Sequence, residues 1–64
     1  MAWTLEAQIA CVERELKMRL RVYPRWVEAG RISQAKADAE ISTMEAVLAT
    51  LQASRPAPPQ GSML

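Results

Sequence analysis

The sequence predicts an all-α chain: an antiparallel two-helix hairpin, with helix 1 kinked or split at Pro24, that assembles into an oligomeric helical bundle and ends in a disordered tail. Three observations carry this expectation. Apolar residues recur at spacings of three and four along two long stretches. A short polar link containing Gly30 separates those stretches. The chain has 64 residues, one cysteine (Cys11) and no histidine, so neither an internal disulfide nor an ordinary zinc site can reinforce it. A domain this small is marginal by itself, and self-association is the reinforcement left.

Helix 1 is expected from about Leu5 to Ala29. Thr4 is a good N-cap, and Glu6 falls in the first turn, where the helix dipole favours an acid. Its apolar stripe is Leu5, Ile9, Val12, Leu16, Leu20, Tyr23 and Val27. Pro24 interrupts the stretch. It removes the hydrogen bond to the carbonyl of Leu20 and disfavours helical geometry at Tyr23. The apolar phase continues across it, which favours a kink over a stop.

Gly30 suits the left-handed residue that ends a helix, and Ser33 can cap the next. Helix 2 is expected from about Gln34 to Ala53, with Ala37, Ile41, Met44, Leu48 and Leu51 as a heptad-like seam that Val47 widens. The link of about four residues makes the helices antiparallel. Two helices cover only one side of each stripe. The expected oligomer interface is Leu5, Ile9, Val12, Leu16 and Leu20 of helix 1 with Ile41, Met44, Leu48 and Leu51 of helix 2. Residues 1–53 therefore form the hairpin and 54–64 a proline-rich tail, whose prolines and glycine oppose helix.

Composition narrows the function. Net charge is +1, so bulk charge points to neither nucleic acid nor membrane. No apolar run approaches the ~20 residues of a membrane span, and the first residues lack a basic leader segment. The expected location is the cytoplasm. There is no glycine-rich phosphate loop, nucleophile elbow or metal motif, and Cys11 has no histidine to activate it. The chain is expected not to be an enzyme and to need no cofactor or metal.

Charge is nonetheless polarised. Between Arg14 and Arg31 six basic residues face two acids, whereas helix 2 carries Lys36 against Asp38, Glu40 and Glu45. Arg14, Lys17, Arg21 and Arg25 fall on one stripe of helix 1, roughly opposite the apolar one. The stripe suits a solvated face, an anionic ligand gripped by guanidinium forks, or an acidic protein surface. Tyr23 and Trp26 flank it and either cap the bundle end or join it as a binding hot spot. The expected binding residues are thus Arg14, Lys17, Arg21, Tyr23, Arg25 and Trp26. A helix-turn-helix DNA reader ranks low, because helix 2 would be the recognition helix and is acidic.

Two stretches carry a resemblance. One runs Arg21-Val22-Tyr23-Pro24-Arg25-Trp26-Val27-Glu28-Ala29-Gly30-Arg31. The other is Ser33-Gln34-Ala35-Lys36-Ala37-Asp38 with Met44-Glu45-Ala46-Val47-Leu48. Together they resemble short helical proteins encoded by tailed phages and prophages of proteobacteria. The resemblance covers the end of helix 1 and much of helix 2, but not the tail. It implies a protein that binds and disables a host factor, such as an immune component, in the host cytoplasm. The alternative is an oligomeric sponge for a nucleotide-like anion, and a nucleic-acid binder comes third.

Overall fold

A computed structural model describes residues 2–56. It contains two helices, α1 (Leu5–Glu28) and α2 (Gln34–Ala53), which pack against each other as a hairpin. Their limits follow from local chemistry. The Thr4 hydroxyl accepts from the amide of Ala7 at 3.0 Å, and the Ser33 hydroxyl accepts from the amide of Lys36 at 3.0 Å. Each satisfies an N–H that the start of a helix leaves without an intrahelical partner.

The end of α1 is equally specific. Gly30 adopts φ +73°, and it is the only positive φ among the described residues. Its amide donates to the carbonyl of Val27 at 3.1 Å, and that of Arg31 donates to Trp26 at 2.8 Å. These two bonds form a Schellman motif, in which a left-handed residue lets the chain turn back over the final carbonyls. Pro24 lies inside α1, which runs through it as one helix rather than splitting in two. Its ring is exposed, on the outside of the hairpin. The carbonyl of Leu20 loses its usual donor, but only one rung of the ladder is missing.

The core is thin. Among the described residues only Ile9, Tyr23 and Ala37 are buried, at 1%, 8% and 2% exposure. Leu5, Val12, Leu16, Ile41, Met44, Leu48 and Leu51 are half-buried. Ile9, expected at an oligomer interface, is therefore covered within one hairpin.

The seam also departs from the expected stripe. Leu20 is 50% exposed, whereas the neighbouring Arg19 side chain is only 17% exposed. The positions turned toward α2 are Leu5, Ile9, Val12, Leu16, Arg19 and Tyr23, a heptad pattern with arginine in one apolar place. Arg19 Nη1 donates to the backbone carbonyl of Glu40 at 3.0 Å and lies 3.6 Å from its carboxylate. Its Nε donates to Glu15 Oε1 at 3.1 Å, and the guanidinium sits 5.9 Å from the centre of the Tyr23 ring. The long aliphatic stem fills the seam while Nε and Nη1 of the guanidinium find partners at its edge.

A second cross-hairpin contact closes the other end. Arg55 meets Glu6 through two hydrogen bonds, Nη2 to Oε1 at 2.9 Å and Nε to Oε2 at 3.0 Å. The hydrogen bond, then the charge of Glu6, holds the Arg55 guanidinium above its ordinary pKa. The tail expected from Ser54 onward thus begins with a residue tied to the start of α1. The expectation of disorder falls mainly on residues 57–64, outside the described residues.

Two substitutions test this account by urea denaturation at fixed protein concentration. A Cβ on Gly30 would meet nothing within 4 Å, so Gly30→Ala isolates backbone strain and should cost about 1–2 kcal/mol, with Gly30→Asn costing less. Arg19→Ala should cost about 1–3 kcal/mol through lost packing and lost bonds to α2, whereas Arg19→Leu, which refills the seam, should cost clearly less. Equal losses for Arg19→Ala and Arg19→Leu would assign the effect to charge alone.

Candidate partner-binding surface

The expected binding residues separate into two groups. Arg14, Lys17, Arg21 and Arg25 are all exposed on the outside of α1. Among the described residues none of them has a carboxylate within ion-pair distance. Glu13 and Lys17, favourably spaced one turn apart, do not form the pair that their spacing allows. The stripe is therefore not neutralised by α2, whose Glu40 is engaged by Arg19 and Lys36.

Tyr23 is different. It is buried, and its ring stacks on Trp26 with centroids 5.3 Å apart and planes 29° apart. Arg19 approaches the same tyrosine. This cluster closes the end of the hairpin next to the link, and only Trp26, about one-third exposed, offers surface to a partner. Tyr23 itself is covered and meets Trp26 through the stack.

The structure adds a feature at the other end. Trp3, Ala7, Gln8, Cys11, Val12 and Arg14 of the N-terminal half meet Val47 and Leu51 of α2 around an open, mostly apolar groove of ≈ 560 Å³. Trp3 is 77% exposed and stands before the first helical residue. Its backbone carbonyl accepts from Gln8 Nε2 at 3.0 Å, which holds this segment against α1. Val47 is exposed on the far wall, and Cys11 is an exposed free thiol within the groove. Arg14 is the one member of the basic stripe that also lines the groove.

The groove thus combines an apolar floor, an indole and one cation. Such a combination fits an apolar side chain or short helix face whose rim carries an acid. Sequence reasoning named Arg14 but not Trp3, Ala7, Cys11 or Val47 for this role. The available signal was Val47, which broadens the α2 stripe on one side only. Trp3 could be expected either to extend the core at this end or to sit exposed near a dimer partner, because it precedes the helix and no helical period places it; it is exposed. Among the described residues no helix is long and apolar enough to cross a membrane.

If the groove is open in the free protein, Cys11 should react with a thiol reagent within about tenfold of the rate of an unstructured cysteine peptide. Protection by several orders of magnitude would mean that something already covers it. No protein-family model matches the chain, and neither a characterised protein nor a solved structure is found to be similar to it.

Proposed function

We propose that the chain is a non-enzymatic, phage-type interaction protein that self-associates and binds and inhibits a protein factor of its bacterial host. The observation that carries this reading is the surplus of unpartnered surface. Among the described residues three are buried, Trp3, Leu20 and Val47 stay exposed, and Arg14, Lys17, Arg21 and Arg25 have no ion-pair partner. Apolar side chains rimmed by arginine, with tryptophan among them, are the composition of interface hot spots. The cations select an acidic target, and the groove at Trp3 selects one with an apolar side chain to insert. The resemblance to phage-encoded proteins supplies the context of a host factor, met in the host cytoplasm.

The full-length protein, immobilised and exposed to host extract, should retain one acidic protein reproducibly. Trp3→Ala and Arg14→Glu should each weaken its rebinding at least about tenfold, the loss expected for a hot-spot side chain. Arg31→Ala, away from the groove, should leave it unchanged. Retention indifferent to Trp3 and Arg14, or no specific retention, would contradict the reading.

A second reading rests on the same four cations. Arg14, Lys17, Arg21 and Arg25, with Trp26 to stack on a base, suit a nucleotide-like anion sequestered by an oligomer. It requires a nucleotide-dependent rise in melting temperature that Arg21→Ala and Arg25→Ala abolish. Binding of long nucleic acid would instead show a steep dependence on salt.

A further inference from the structure

The groove beside Trp3 is poor in polar side chains. Ala7 and Val12 of α1 and Val47 and Leu51 of α2 supply its walls, and Trp3 joins them. Gln8 is the one amide side chain among the lining residues, and its Nε2 already donates to the Trp3 carbonyl at 3.0 Å. Arg14 is the one charged lining residue, and among the described residues it has no ion-pair partner.

The surrounding carboxylates are turned away or engaged. Glu13 lies about 100° round α1 from Arg14, away from the groove. Glu15 faces the groove side but is held by Arg19 at 3.1 Å. Glu6 is paired with Arg55. On α2, Glu40 is engaged by Arg19 and Lys36, and Glu45, two residues before Val47, falls on nearly the opposite side of the helix. The charge that the groove presents is therefore positive, and Lys17, the next cation of the stripe, adds to it.

This chemistry selects by exclusion. A sugar, a nucleotide base or an extended peptide brings many donors and acceptors, and each one buried without a partner costs free energy. The groove offers a guanidinium and little else to meet them. A hydrocarbon chain with a single anionic group has no such surplus. The volume, ≈ 560 Å³, lies within the ~300–1,000 Å³ of small-molecule sites. Ala7 and Arg14 are separated by about 10 Å of helical rise, the length of an extended chain of about eight carbons.

We propose that the groove binds a free medium-chain fatty carboxylate, with its chain along Val12, Val47 and Leu51 beside Trp3 and its head on the Arg14 guanidinium, whose fork matches the two carboxylate oxygens. Trp3, 77% exposed in the free protein, is covered by the ligand, and the exposed Cys11 thiol in the groove is shielded with it. The chain occupies the space that the proposed function gives to a partner's apolar side chain, so the two ligands compete. Binding of the carboxylate needs neither a protein partner nor a second copy, so its failure and the failure of that reading are separate results.

Calorimetry of the full-length protein with hexanoate, octanoate and decanoate, below their micellar concentrations, tests it. Affinity should rise about two- to fourfold with each added methylene. Decanol and decylamine should bind at least about tenfold more weakly than decanoate. Arg14→Glu should invert that order in favour of decylamine, and Val47→Glu, which sets a carboxylate on the far wall, should weaken decanoate at least tenfold, with circular dichroism verifying helix content in both. Decanoate should shift tryptophan emission to the blue and slow the reaction of Cys11 with a neutral thiol reagent at least tenfold. Trp3→Phe should lose the emission shift and keep the protection of Cys11. Decanol binding as tightly as decanoate, or an order unchanged by Arg14→Glu, would overturn the proposal by removing the role of the head. Binding without protection of Cys11 would overturn it by placing the chain elsewhere. A response confined to micellar decanoate or to phosphatidylglycerol vesicles would overturn it in favour of a surface for lipid assemblies.

Discussion

Two helices have one seam between them, and everything else in this protein follows from that limit. A seam is one row of side chains deep, so each helix turns only a narrow strip of its circumference away from water. Among the described residues the strip buries Ile9, Tyr23 and Ala37 and half-buries Leu5, Leu16, Leu48, Leu51 and Ile41 around them. At about 25 cal/mol per Å² of apolar area, such partial burial returns only part of what a full core would, while the backbone of every ordered residue still loses its conformational freedom. The hairpin compensates at its edges, through Arg19 spanning α1 and α2, the Glu6–Arg55 pair, and caps at Thr4, Ser33 and Gly30.

The edge contacts do more than stabilise. Arg19 and Arg55 fix which residue of α1 stands opposite which residue of α2, because a guanidinium bond to a defined acceptor tolerates less sliding than leucine on leucine. That register decides the surface pattern. It keeps Glu40 occupied by Arg19 and Lys36, leaving Arg14, Lys17, Arg21 and Arg25 without acids from α2. It also brings Val47 and Leu51 opposite Val12 and Cys11, which shapes the groove beside Trp3. Packing and candidate function are thus joined through two arginines that belong to neither the expected stripe nor the expected core.

The helix limits were legible in the sequence because capping is local. Thr4, Gly30 and Ser33 act within a few residues of their own positions, and α2 runs from Gln34 to Ala53 as its pattern implies. The choice between Arg19 and Leu20 was not legible. Both fit the helical phase, and hydrophobicity alone selects leucine. What decides for arginine is an acceptor on α2, the carbonyl and carboxylate of Glu40, which is a tertiary fact. The same holds for Tyr23: its place on the apolar stripe was readable, but its stack with Trp26 depends on the side chains around both rings. Trp3 stayed open between core and exposed surface because it lies outside any periodic element. The basic stripe was readable as a pattern, and its lack of ion-pair partners emerged only from the register.

If one seam is too little for one chain, folding and association must be a single process. The thermal midpoint of the full-length protein, followed by circular dichroism from about one to several hundred micromolar, measures that coupling directly, because association stabilises by mass action. The midpoint should climb steadily across the range. A cooperative transition at one temperature throughout would show a hairpin that is sufficient alone, and would contradict the account.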